Sequence, residues 1–278
     1  MPFVWTINPY RGCEFACTYC YARYTHEFLG DDAAAFERDI YVKQHVAMAL
    51  RRDLARRVEP GEAIAIGTAT DPYQPAERRY RATRSLLEVF ARQRGHVLSI
   101  TTKSCLIRDD RGLLAQIAAN NDLVVNFSLT SLDPRLSRQL EPRAPTPERR
   151  LQTMRLLHRA GIDVGLFLMP ILPGITDDPF TLNGVVAAAA AAGAGFVASN
   201  VLFLRPPSRA IFLEYVRRHH PTELAAYERA YTGSGYLSSA YRNEISARVR
   251  AAAQRHGLGS RRPAGVVRRR PAQLSLQL

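Results

Sequence analysis

The sequence predicts an α/β protein built on parallel strands, with a helical extension at its C-terminal end. Three observations carry this reading. Short β-branched runs alternate with longer helical patterns through Leu204, the later runs are nearly continuous in hydrophobicity, and the pattern beyond Leu204 is purely helical. Continuous apolar runs mark strands buried on both faces. The predicted strands are FVWTIN (3–8), AIAIGT (63–68), VLSITT (97–102), LVVNFSLT (123–130), DVGLFLMP (163–170) and FVASNVLFL (196–204). Between them, one helix opens with Thr146 as N-cap and Pro147 in its first turn. It carries Leu151, Met154 and Leu157 on one face and stops at Gly161. The others fall roughly at 42–58, 79–94, 108–119 and 179–192. Six strands joined by helices imply right-handed βαβ crossovers. An open doubly wound sheet and a barrel both satisfy this string. In either, the functional groups belong just past the C-terminal ends of the strands. FLEYVRRHH, ELAAYERAY and a segment near 240–256 make up the extension, interrupted by TGSGYLSS (232–239), which is expected to be flexible.

At 278 residues, with 46% hydrophobic and 23% charged residues, the chain has the profile of a globular protein with a substantial core. Its start, MPFVWTINPYRG, lacks the basic, then apolar, character of a signal peptide, and no apolar run is long enough to span a bilayer. A cytoplasmic location and no membrane partner are therefore expected, in a compartment where clustered thiols hold metal more often than disulfides. The net charge of +13 and pI near 10.1 suggest a polyanionic partner such as nucleic acid. A rival account is compositional. Of 38 basic residues only Lys43 and Lys103 are lysine, a skew expected of a GC-rich genome. The tail RRPAGVVRRR (Arg261–Arg270) can track phosphates, or be a solvated, disordered segment.

The chemistry concentrates in RGCEFACTYCYAR, directly after the first strand. Cys13, Cys17 and Cys20 have Cys-x3-Cys-x2-Cys spacing, and the chain's fourth cysteine is Cys105. Structural zinc needs a fourth ligand, for which His26 is the nearest candidate. A ferredoxin-type cluster also takes four cysteines. Three cysteines on a 4Fe-4S cluster leave one iron open to a non-protein ligand.

Cys-x3-Cys-x-aromatic-Cys at the end of strand one of a βα-repeat chain resembles the signature of the radical S-adenosylmethionine (SAM) enzymes. The stretches NPYRGC, CTYCYAR, GTATDPYQPAE, TTKS, FSLT and LEPRAPTPERRL resemble the spore photoproduct lyase-like branch, from Phe3 to about Leu258. The resemblance implies a partial (βα)6 TIM-type barrel over residues 1–205 and a helical extension over 206–278. It implies a 4Fe-4S cluster on Cys13, Cys17 and Cys20, with SAM chelated at the open iron. Cleavage of SAM by one electron from a low-potential flavodoxin or ferredoxin would give a 5′-deoxyadenosyl radical that abstracts hydrogen from the substrate. Tyr19 and Tyr21 match tyrosines tied to cofactor contact and radical return, Tyr21 being the catalytic candidate. Thr70 and Asp71 fall beside the bound methionine, and Lys103 and Ser128 match SAM-contacting positions.

One departure bears on the reaction. Where the lyase keeps a hydrogen-donating cysteine, this chain has Thr68, a poor donor. Cys105, just past strand three, is the candidate substitute; the alternative is a buried, inert thiol. Glu77, Glu141 and Arg143 are candidates to pair, with Asp71, around the cofactor carboxylate or the substrate, or to form loop salt bridges. Arg205 lies on the expected rim, Trp5 and Tyr10 fit a hydrophobic shell, and His219 and His220 have no assigned role. Three functions remain open: radical SAM chemistry on a nucleic acid or nucleotide, the same chemistry on a peptide or small metabolite, and a non-enzymatic zinc or iron–sulfur protein that binds nucleic acid.

Overall fold

A computed structural model describes residues 3–260 except Asp31, Pro60 and Ser234, together with the backbone alone of Ser260 and of Ala272–Gln273. The basic stretch Arg261–Arg270 lies outside the described residues. Six parallel strands form the centre: β1 (Trp5–Ile7), β2 (Ala63–Ile66), β3 (Val97–Thr102), β4 (Asp122–Ser128), β5 (Asp163–Ile171) and β6 (Phe196–Val201). Each pairs with the next in sequence, in registers such as Ile7 with Ile66, Ile66 with Ile100 and Gly165 with Phe196. A doubly wound sheet reverses its strand order at a switch point. This order never reverses, which decides for the barrel family. β1 and β6 do not pair with each other, so the barrel is partial.

Two short strands were not legible as such in the helical C-terminal pattern. Gly259–Ser260 (β7) adds to β6, and Ala272–Gln273 (β8) adds to β1, both parallel. Two residues are too few to show a period, so only pairing reveals them.

The layer around the sheet contains α1 (Val46–Arg56), α2 (Ala82–Phe90), α3 (Arg111–Ala118), α4 (Pro134–Leu140), α5 (Pro147–Arg159) and α6 (Pro179–Ala191). Three of them start alike. Asp133, Thr146 and Asp178 accept N–H bonds from their first turns, with proline at the next position. The helix expected at 79–94 breaks at Arg81, whose φ is 49°. Glu77 explains the break, because its carboxylate accepts the N–H groups of Thr83 and Arg84 (both 2.9 Å) and so caps α2. The core between sheet and helices holds Ile7, Ile64, Ile66, Ile100, Phe127, Leu166 and their helix partners, all buried. Each such side chain contributes about 1.5–3 kcal/mol through apolar burial.

The extension comprises α7 (Ser208–His219), α8 (Leu224–Ala230) and α9 (Ser239–Arg255). α9 packs on α6 and β6. α7 and α8 bring Phe212, Tyr227 and Tyr231 into a second apolar cluster with Phe15, Tyr19 and Leu140, over the C-terminal ends of the strands. The stretch expected to be flexible is tied back, since the Gly235 carbonyl accepts the Leu204 N–H at 3.0 Å and Tyr236 packs on Phe203 at 4.4 Å.

Candidate active site

The cysteine loop follows β1 and is shaped by backbone geometry at both ends. Gly12 has φ +85°, and a Cβ there would stand 2.8 Å from the Phe36 carbonyl oxygen, so only glycine fits. Ala16, at φ 55°, turns the chain between the first two cysteines. The Thr70 hydroxyl (2.5 Å) and the Gln74 amide (3.1 Å) both donate to the Gly12 carbonyl, while the Gln74 carbonyl oxygen accepts the Glu14 N–H at 2.9 Å. At the end of β2, Gly67 (φ +87°) lets the chain pass Pro72 and the Thr101 carbonyl, which a Cβ would approach to 2.5 and 2.7 Å.

Cys13, Cys17 and Cys20 are free thiols, the first two buried and the third half-buried. Burial pushes all three thiols up, Cys17 to about 12, and each also responds to the charge of a neighbouring thiol or of Lys103. Among the described residues no three His, Cys, Asp or Glu side chains form a ready-made site for a metal ion. The donor set nevertheless fits an iron–sulfur cluster: three free thiols on one loop, two of them buried, and no disulfide. Thiols held up by burial would be stabilised as thiolates by iron bound to them. His26 is not arranged as a fourth ligand, because its Nε2 lies 2.9 Å from the Asp39 carbonyl oxygen and its ring packs between Phe36 and Tyr41.

Around the thiols lies a buried polar network. The Lys103 ammonium sits 5.9 Å from the centroid of the Tyr19 ring. Burial pulls this ammonium down, but the negative charges of Cys17, Glu141 and Asp71 outweigh it and raise its pKa overall. Glu141 bonds to the Tyr19 hydroxyl through one oxygen and to Arg150 through the other. Burial alone would push the Glu141 carboxyl up, yet Arg150 and Lys103 hold it below the usual range. Arg150 also donates to the carbonyls of Ser128 (3.0 Å) and Pro145 (2.8 Å). Asp71 accepts from the Tyr73 N–H (2.9 Å), the Thr102 hydroxyl (2.7 Å) and the Lys103 N–H (2.8 Å), tying the ends of β2 and β3 together. Burial raises its carboxyl, and these three bonds offset part of the rise.

Tyr19, Lys103, Glu141 and Ser128 thus share one neighbourhood with the cysteine loop, and Thr70 and Asp71 act at its edges through bonds already filled. Tyr21 is exposed, with its hydroxyl on the Thr68 carbonyl. Cys105 is buried and lines a separate cavity two residues beyond Lys103. Three candidates lie elsewhere: Glu77 caps α2 and holds the Tyr10 hydroxyl, Arg143 is exposed and reaches the Glu37 carbonyl (3.3 Å), and Arg205 is exposed over the Phe203 ring. Trp5 is a core residue bonded to Glu62 (2.5 Å), and His220 bonds to Tyr215 (3.1 Å). Sequence reasoning missed Arg150, Gln74 and Ser208, whose hydroxyl donates to the Cys20 carbonyl at 2.5 Å. An arginine among 36 gives no signal, and a serine opening α7 reads as a cap.

Comparison with known proteins fits this arrangement. The family model of the radical SAM superfamily matches residues 7–181. An uncharacterized protein of Mycobacterium tuberculosis and another of Mycobacterium bovis are each 38% identical over 266 residues, covering 95% of this chain and 78% of theirs. Among solved structures, a spore photoproduct lyase mutant with bound AdoMet and dinucleoside spore photoproduct aligns with TM-score 0.69 and 16% identity, covering 91% of this chain and 74% of that one. SuiB of Streptococcus suis, bound to its precursor peptide SuiA, aligns with TM-score 0.58 and 14% identity over 94% of this chain and 48% of its own. At these identities the structural matches speak for the fold. The chain belongs to the radical SAM superfamily. It is a radical SAM enzyme, a class that uses SAM and a 4Fe-4S cluster and generally needs a reducing electron donor. No described helix is long and apolar enough to cross a membrane.

Proposed function

We propose that Cys13, Cys17 and Cys20 hold a 4Fe-4S cluster and that SAM binds beside it, for hydrogen abstraction from a nucleic acid or nucleotide. When bound, the two cofactors supply one-electron reductive cleavage of the sulfonium and a carbon-centred radical. The observation that carries the reading is the gathering of three free thiols, two buried and one half-buried, with Lys103, Tyr19 and the Glu141–Arg150 pair in one neighbourhood. The roles of the chain's own residues follow from that network. Lys103 offers a cation to the SAM carboxylate. Glu141 and Arg150 keep Tyr19 and the end of β4, with Ser128, in place. Asp71 and Thr70 fix the strand ends and the loop. Tyr21, exposed with its hydroxyl on the Thr68 carbonyl, is the candidate for radical return. The helical extension that begins at residue 206 braces the loop through Ser208. The net charge of +13 supports an anionic substrate.

The test uses anaerobically reconstituted protein, dithionite and SAM, assayed for 5′-deoxyadenosine beside a Cys13→Ala, Cys17→Ala, Cys20→Ala control. Product from the wild type alone supports the reading. Zinc in place of iron, with no product, overturns it in favour of a metal-dependent binding protein.

A further inference from the structure

We infer that an arginine-ringed cavity beside the cysteine loop docks an acidic electron-carrier protein. This rests on the cluster assignment above. The cavity, about 330 Å³, opens among the loops after β2, β3 and α4. Arg78, Arg108, Arg138, Arg143 and Arg149 surround it, all exposed, and no carboxylate is among its lining side chains. Of the five, Arg108 alone has an ion pair among the described residues, with adjacent Asp109 at 3.6 Å. In a chain with 25 acidic residues to 38 basic ones, a ring of five cations and no anion is a local excess.

Its position gives the excess a purpose. The cavity wall includes Phe15, a buried residue of the loop segment between Cys13 and Cys17, whose carbonyl accepts the Arg143 N–H at 3.4 Å. Lys103 turns toward Tyr19 and Cys17, whereas Ser104 and Cys105 line the cavity. The cavity therefore touches the loop that carries the thiols through Phe15 and lies beside the strand end that carries Lys103.

Exposure decides the kind of partner. Exposed ion pairs are worth about 0–1 kcal/mol each and are screened over about 8 Å at physiological salt. Such a ring suits a transient, electrostatically steered protein encounter better than retention of a small anion, which calls for buried donors. Nucleic acid is bound by stripes of cations that follow the backbone; here the cations close around a pit with an aromatic wall, which fits a carboxylate-bearing protrusion. In the encounter the carrier's anionic flavin hydroquinone loses one electron to become the neutral semiquinone, the enzyme accepts that electron, and no bond is made or broken.

The chain supplies its own control, a second arginine-lined cavity formed by Arg111, Arg155 and Arg159 between α3 and α5. The experiment titrates an acidic bacterial flavodoxin into the reconstituted full chain by calorimetry at low and physiological salt. Arg78→Glu with Arg138→Glu and Arg149→Glu should weaken binding about tenfold or more and flatten its salt dependence. Arg111→Glu with Arg155→Glu and Arg159→Glu should leave it within about twofold. If the first triple variant fails to fold by circular dichroism, Arg149→Glu alone should show the same effect at smaller size. No flavodoxin binding by the wild type, equal loss in both triples, or loss in neither overturns the inference. So does loss of affinity for a single-stranded oligonucleotide in the first triple with flavodoxin binding intact. Production of 5′-deoxyadenosine with dithionite separates the two levels: if it occurs without flavodoxin binding, only the docking inference fails, and if it does not occur, the cluster assignment fails.

Discussion

Glu141 joins the cysteine loop to α5, with one carboxylate oxygen on the Tyr19 hydroxyl and the other on the Arg150 guanidinium. Both side chains of the ion pair are at most 2% exposed. Breaking a buried pair by removing one partner leaves an uncompensated charge and costs about 3–5 kcal/mol. Arg150→Met is thus expected to lower unfolding free energy by about that amount. Arg150→Met combined with Glu141→Gln should recover a large part of the loss, and chemical denaturation of the two variants is the check.

Each of Cys13, Cys17 and Cys20 should be individually required for the cluster. Replacing any one by alanine should remove iron–sulfur absorbance and 5′-deoxyadenosine formation together, and retained cleavage in a single variant would contradict the ligand set.

Lys103→Ala should separate cofactor affinity from cluster content. Iron and sulfide per chain should stay near wild type while SAM affinity falls about ten- to a hundredfold, the loss of one charge-assisted contact of roughly 1.5–3 kcal/mol. Equilibrium binding of SAM to the loaded variant decides the matter. A variant that also loses its iron would show that Lys103 supports the loop instead.

Gln74 ties the cysteine loop to the loop after β2: it donates to the Gly12 carbonyl and the Thr70 hydroxyl (3.0 Å) and accepts from the Glu14 N–H. Gln74→Leu strands these buried groups at a cost of about 1–3 kcal/mol. The expected signature is slower cluster reconstitution, read from the rise of visible absorbance, with Lys103-dependent SAM affinity unchanged once loaded.

Lys43 should make stability rise with pH in the alkaline range. It is 9% exposed and has no ion pair among the described residues. Burial, with Arg11 adding repulsion, lowers its pKa from 10.5 to about 8. Between about pH 8 and 10.5 the unfolded chain therefore binds more protons than the folded one, so folding is favoured as pH increases. Lys43→Met should stabilise the protein at pH 7 by up to about 3 kcal/mol, and that advantage should vanish above the ordinary lysine pKa. Urea titrations of both proteins across pH 7–11 measure it.

The sequence by itself determined the order of elements and the heart of the chemistry. Strand hydrophobicity and proline-led caps at Thr146 place β3 to β6 and α5 because burial and first-turn hydrogen bonding are local demands. The three cysteines were legible because their spacing lies within one short loop. What only the tertiary structure decided were relationships across the chain. The strand order that makes a barrel, and the edge strands at Gly259–Ser260 and Ala272–Gln273, exist only as pairings. Glu141 and Arg143 are equivalent loop charges in the sequence, yet one is buried against Arg150 and the other reaches solvent. Gln74 and Ser208 carry no periodic or spacing signal, and they grip the cysteine loop from 62 and 188 residues away. A buried polar group must find its partner wherever the fold places it, and that choice is written in three dimensions rather than in local pattern.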